Sequence, residues 1–351
     1  MKDLLRRYLF KCIAICIGIS AAVFLLEIIL HISPTLSFRY GTLKYKSQEL
    51  PGVFKAWDYV LQPSALLGYE HVPNRQCDVI KTNSFGLVSR EHPFAKQKGI
   101  YRILILGDSI AAMGWSGNYL EDYLNLDSSL KNRYNGFEVW NAGVGSYDSR
   151  RYFLYLNYKG LAFKPDAVFL FLFMNDFELN TCIYYKNKDG VTEFDFNIEA
   201  IANTSFKVNP FMMCNSYLYR FIILSVNNLL LYKKNLRGKD VQEENGIFYL
   251  GKIKQICQSQ GISLYVFIFP YLDSLEKYDN YERKQYFTIL KVVKELKIPY
   301  IDFYNLYEYR REHGMPLKFL PNDDMHPNEE THKIIASVIY EFLLKTELKP
   351  N

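Results

Sequence analysis

The chain has 351 residues, 49% of them hydrophobic and 23% charged, with a net charge of +5. That much apolar material can fill a sizeable core, which excludes a broadly disordered chain, and the length suits one large domain or two small ones. Lys and Arg are scattered among Glu and Asp, and no basic helix carries interleaved aromatics, so the reading is of no nucleic-acid partner.

The N-terminus is cationic, with Lys2, Arg6, Arg7 and Lys11, and no charge follows between Cys12 and Leu26. Glu27 interrupts the run and Ile28-Ile29-Leu30 resumes it. Counted over residues 8–32, the segment reaches the roughly 20 residues that one bilayer crossing needs. The cations before it predict a cytoplasmic N-terminus, with the remainder outside. Glu27, near the outer end, can reach the interface. A cleaved signal peptide is the rival reading, but Ile32-Ser33-Pro34 matches a small-x-small cleavage site poorly. Either reading exports the bulk of the chain. Of six cysteines, Cys12 and Cys16 fall in this segment and no C-x-x-C pair exists, so a zinc site has no support. A disulfide such as Cys182 with Cys214 is compatible with export. Cys257, in a predicted helix, reads as a buried small hydrophobe.

Residues 1–34 are thus a cytoplasmic stub and anchor, and 35–98 a lead-in cut by Pro51, Gly52, Pro63, Gly68 and Pro73 into short strands and turns. From Tyr101 a regular alternation begins and defines a domain over 99–347. Strands are predicted at 102–106, 137–141, 167–173, 263–269 and 300–303. Helices are predicted at 117–126, 149–159, 243–260, 281–296 and 328–344, with Gly261 as a helix stop. Near-continuous apolar strands between helices predict an α/β fold, a parallel sheet covered on both faces. Residues 177–240 break the rhythm and read as an insertion near the site. Its apolar run, 218–231, reads as an amphipathic helix packing on the domain, with a membrane contact as the rival. No internal repeat or low-complexity tract is present.

Four polar segments fall at strand ends or before the last helix. Gly107-Asp108-Ser109-Ile110 follows the first strand, where chemistry gathers in a doubly wound sheet. Ser109 there is either a nucleophile or helix-capping chemistry. Asp323-Asp324-Met325-His326-Pro327 precedes the last helix. His326 is the natural base for a serine, and Asp323, three residues earlier, is placed to orient its ring. Asn175 follows the third strand, and its amide can donate to an oxyanion. Asn141-Ala142-Gly143-Val144-Gly145-Ser146 ends the second strand in a flexible turn that can aim a backbone N–H inward. Taken singly, each segment is equally ordinary turn or cap chemistry.

As an ordered set, these segments resemble the SGNH hydrolases, also called the GDSL family. The blocks correspond to Ser109, the Gly145-Ser146 turn, Asn175, and Asp323 with His326, over roughly residues 101–344. The lead-in, with 67–74 and 83–87, resembles that of membrane-anchored bacterial members. The resemblance implies a three-layer α/β/α domain with a doubly wound, flavodoxin-like strand order. It also implies acyl transfer in which Ser109, His326 and Asp323 are catalytic. The oxyanion would be held by Ser109, Gly145, Ser146 and Asn175. No metal or organic cofactor is required. Asp108 and Asp176 are expected to fix loop geometry. Two departures stand out: Ser146 occupies the second-block glycine position, and Phe173 replaces the third-block glycine, which is expected to narrow the space beside Asn175. The implied activity is a serine esterase or O-acyltransferase acting on acyl groups, O-acetyl foremost, of envelope or exported glycan. A lipase or thioesterase, and a non-catalytic glycan-binding or envelope-assembly protein, are the alternatives. A nucleotide-binding protein is disfavoured, because the first turn lacks a G-x-G-x-x-G or P-loop pattern.

Overall fold

The computed structural model describes residues 2–32, 61–64, 67–76, 80–179, 182–187, 190–195 and 241–348, together with 216, 218, 219 and 222. Most of 177–240, including most of the expected amphipathic helix, lies outside them, as do the side chains of Cys182 and Cys214.

In chain order the strands are β1 (Leu61–Ser64), β2 (Gly68–His71), β3 (Ile100–Gly107), β4 (Gly136–Asn141), β5 (Ala167–Phe173), β6 (Cys182–Asn187), β7 (Gly190–Asp195), β8 (Ser263–Phe269) and β9 (Tyr300–Asp302). The α-helices are α1 (Lys2–Ile32), α2 (Ser109–Ala112), α3 (Trp115–Leu126), α4 (Ser149–Tyr158), α5 (Val241–Gln260), α6 (Asn280–Glu295), α7 (Tyr304–Glu312) and α8 (Glu329–Thr346).

The chain forms two compact units. The first comprises residues 1–49, 62–69 and 181–237. It holds α1, whose window Ile13–Leu30 has a mean hydropathy of 2.7 and is long and apolar enough to cross a bilayer. It also holds the antiparallel hairpin β6–β7, which places Tyr184 opposite Glu193.

The second unit, residues 50–61, 70–180 and 238–351, is built on a five-stranded parallel sheet in the order β4-β3-β5-β8-β9. The runs that make it are apolar because both faces are covered: β5, AVFLFLF, is buried at every position. The chain steps one way from β3 to β4 and the other way thereafter. Right-handed crossovers therefore put α3 on one face and α4, α5 and α6 on the other. Accordingly α8 packs against α3, while α5 packs against both α4 and α6. Phe171 and Phe267, on adjacent strands, have ring centroids 5.7 Å apart in this interior.

Residues 80–98 are fastened to the sheet and to α3 through two buried charged side chains, Arg102 and Glu121. The Arg102 guanidinium, fully buried, donates to Glu138 at 2.7 Å and to the carbonyls of Pro93, Phe94 and Phe163. Glu121 on α3 accepts from Val139 N at 2.8 Å and meets Arg90 and His92 at 3.1 and 2.9 Å. Two helices departed from the periodic reading. α2 is a single turn, too short for a period. α7 buries only Tyr307 and Arg310, so it lacks an apolar stripe.

Candidate functional site

The order β4-β3-β5 brings the ends of three strands side by side, and three of the four polar segments sit on them. At the end of β3, Gly107 allows the chain to pass close to its neighbours: a Cβ there would lie 2.6 Å from Ala111 Cβ and 3.1 Å from the Phe171 carbonyl. Asp108 follows and caps α2, its Oδ1 accepting from Ile110 N at 3.0 Å. Asp108, not Ser109, is thus the cap, which leaves the Ser109 hydroxyl for another partner. Ser109 is half-buried in the first position of that helix.

Its partner is His326. The Ser109 hydroxyl and His326 Nε2 are 2.8 Å apart, and His326 Nδ1 lies 2.8 Å from Asp323 Oδ2. A carboxylate can only accept, so the proton sits on Nδ1; Nε2 then accepts, and the serine O–H donates. His326 reaches Ser109 because residues 317–328 fold into a small hairpin: Phe319 N donates to the His326 carbonyl and Asn328 N to the Leu317 carbonyl, each at 2.9 Å. Leu272 N, past β8, ties that hairpin down through the Asp324 carbonyl at 2.7 Å. Asp323 Oδ1 accepts from Met325 N and His326 N at 2.9 and 3.0 Å. Burial alone raises the Asp323 pKa, but His326 and these backbone amides carry it below its ordinary value.

The remaining predicted residues stand at the neighbouring strand ends. Past β4 the chain keeps pairing with β3, Ala142 N donating to Ile105 O at 2.9 Å and Val144 N to Gly107 O at 3.1 Å. The Gly145-Ser146 turn comes next, partly buried at Gly145 and exposed at Ser146. Ser146 has φ of +60°, the left-handed conformation that favours glycine. Asn175 is exposed in the turn after β5. Phe173 is buried, its ring edge-on to Tyr271 with centroids 5.0 Å apart.

Tyr152 escaped the sequence reading. Its hydroxyl is 2.8 Å from Asp176 Oδ2 and 3.3 Å from the Tyr147 carbonyl, linking the turns after β5 and β4. Asp176 also accepts from Phe173 N at 2.9 Å, and its carbonyl accepts from Ser149 N at 2.8 Å. Burial pushes Asp176 well above the usual carboxylate range, helped by the nearby Asp108, and burial also raises Asp108. Nothing local marks the Tyr152–Asp176 pair, which is 24 residues apart.

A second serine–histidine contact, Ser116 Oγ to His332 Nδ1 at 2.6 Å, is different in kind. His332 is fully buried, pairs with no carboxylate among the described residues, and is lowered to about 3 by burial, so it is neutral and structural. Among the described residues no group of three or more His, Cys, Asp or Glu is arranged to hold a metal ion.

The model of the GDSL-like lipase/acylhydrolase family matches residues 105–334. The chain belongs to that family. The match runs from β3 into α8 and so takes in both ends of the Ser109–His326 contact. This GDSL-family chain is also similar to a lipase/acylhydrolase from Enterococcus faecalis, at 16% identity over 72% of this chain and 98% of that one, with a TM-score of 0.42. It is similar to Axe2, an acetylxylan esterase from Geobacillus stearothermophilus, at 15% identity over 69% and 93% of the two chains, TM-score 0.42. The acetyl xylan esterase AlAXEase gives 15% identity over 69% and 99%, TM-score 0.41. At such identities those activities remain properties of those proteins. No curated protein matches the sequence.

Proposed function

We propose that this GDSL-family protein is a membrane-anchored serine esterase that removes ester-linked acyl groups, O-acetyl foremost, from exported glycan. The observation that carries the reading is the unbroken Ser109–His326–Asp323 chain, with both contacts at 2.8 Å. Ser109 Oγ attacks the ester carbonyl as His326 Nε2 takes its proton, and Asp323 stabilises the resulting imidazolium. The oxyanion is held by the backbone amides of Ser109 and of the Gly145-Ser146 turn, and by the Asn175 side chain. Collapse releases the alcohol, protonated by His326, and leaves an acyl group on Ser109. Water activated by His326 then frees the acid; a sugar hydroxyl in its place would receive the acyl group. An aromatic pair that includes a residue of the His326 hairpin supports a sugar as the alcohol. Trp115 and Phe319 have ring centroids 5.7 Å apart, both partly exposed, and Phe319 sits on the hairpin that carries His326. The apolar α1 supports an extracytoplasmic location.

The test is active-site labelling of the full chain in detergent. A fluorophosphonate is expected to add to Ser109, shown by intact mass and peptide mapping, and not to label Ser109→Ala or His326→Ala. A folded wild-type chain that takes no label would sink the esterase reading.

A further inference from the structure

Glu27 lies within the apolar window of α1, yet it is not left to lipid. Its Oε2 accepts from Ser216 Oγ at 3.0 Å and from Leu218 N at 2.9 Å. Ser216 Oγ in turn accepts from Tyr219 N at 3.1 Å, so serine and glutamate together satisfy amides at the start of a helical turn. Leu30, one helical turn after Glu27, is 4% exposed, whereas Phe24, one turn before it, is 67% exposed and Ile29 is 46% exposed. Among the described side chains of α1, cover is therefore confined to Glu27 and Leu30, at its C-terminal end.

Depth follows from helix geometry. The 18-residue window Ile13–Leu30 rises about 27 Å, close to the thickness of a hydrocarbon core. Glu27 is three residues, about 4.5 Å, inside its C-terminal end. A carboxylate at that depth is costly unless its bonds are met, and groups that meet them share its depth. The amide of Leu218 and the hydroxyl of Ser216 are thus at the edge of the hydrocarbon. From Leu218 to Leu231 the sequence carries a single charge, Arg220, and then turns polar at Lys233-Lys234. Ile222 is 49% exposed, an apolar side chain left half open at the level where lipid begins.

We propose that Leu218, Tyr219 and Ile222 form a second, monotopic contact with the lipid bilayer, set in the interface at the C-terminal end of α1 and held there by Glu27. The contact is independent of the esterase reading and rests on α1 crossing the membrane.

Full-length variants reconstituted into phosphatidylcholine vesicles test it, with lipids brominated at shallow or deep acyl positions. Each variant adds one tryptophan, and the emission of the three native ones is subtracted. Ile222→Trp is expected to be quenched by shallow bromines at least twofold more than Lys345→Trp, a solvent-exposed control on α8. Ile19→Trp, in the middle of α1, is expected to respond to deep bromines. Quenching at residue 19 with none at residue 222 above the control overturns the proposal, and absence of quenching at residue 19 overturns the membrane crossing and the proposal with it. Adding Glu27→Leu to Ile222→Trp is expected to reduce its quenching by half or more, with Glu27→Gln, which keeps an acceptor, restoring it. Unchanged quenching with Glu27→Leu would remove Glu27 from the account.

Discussion

Asp176 is 1% exposed, and its Oδ1 has no hydrogen-bond partner among the described residues. Its raised pKa has a consequence for stability. The native state keeps a proton that the unfolded chain gives up near pH 4, so native binds more protons than unfolded above that pH, and stability falls as pH rises. Asp176→Asn removes this dependence. Urea titrations of both proteins from pH 4 to 8 are expected to show the wild type losing ground to the variant, at up to about 1.4 kcal/mol per pH unit. Parallel stability curves would mean that Asp176 is ionised in the fold. Ser146 gives the opposite kind of test. A left-handed backbone costs a non-glycine residue about 1–2 kcal/mol, part of which glycine returns through unfolded-state entropy. Ser146→Gly is expected to raise stability by up to about 1 kcal/mol. A measured loss would show that the serine side chain contributes more than its backbone strains.

The Ser109 turn is wedged between elements. A Cβ on Gly143 would lie 2.5 Å from Ala111 Cβ and 2.7 Å from the Ala112 backbone nitrogen, both in α2. Since backbone cannot step aside cheaply, Gly143→Ala is expected to cost about 1–3 kcal/mol and to slow fluorophosphonate labelling by moving α2. Gly251→Ala is the contrast: it lies inside α5, with its nearest contact 3.9 Å away, and is expected to stabilise by about 0.4–1 kcal/mol. Thermal melts of the two variants shifting alike would refute the wedge. The same element logic explains what could be read in advance. β5 and β8 begin and end where their apolar runs do, because both faces of each are covered. Asp323 and His326 could be paired on paper because three residues separate them. Tyr152 could not, since its alignment with Asp176 depends on how α4 lies over the end of β5. The contact between Phe173 and Tyr271 was illegible for a similar reason, since Tyr271 follows another strand.

Across the α/β unit, Arg102 joins residues 93–94, β4 and the turn at Phe163 through one buried guanidinium, which also lies 4.4 Å over the Trp140 ring. Removing one partner of a buried pair strands the other, so Arg102→Met is expected to cost about 3–5 kcal/mol. Replacing Glu138 as well, in Arg102→Met/Glu138→Leu, is expected to recover more than half of that in urea unfolding. A double variant no better than the single one would place the loss in the carbonyl contacts and the ring. Residues 80–98, read from sequence as a lead-in, are in this respect part of the sheet's support.

By itself the sequence determined the apolar helix, the parallel α/β class, most strand and helix limits, and the ordered polar blocks that carry the family resemblance. All of these follow from local pattern: runs, periods, caps and short spacings. The order of strands came only through the resemblance, since periodicity says nothing about which strand lies beside which. Only the tertiary structure put contacts to these relations, with β4 and β5 flanking β3 and His326 meeting Ser109 at 2.8 Å across 217 residues, and it alone brought Glu27 to Ser216 and the Leu218 amide. Such contacts depend on how separate elements pack, and no window of sequence contains both partners.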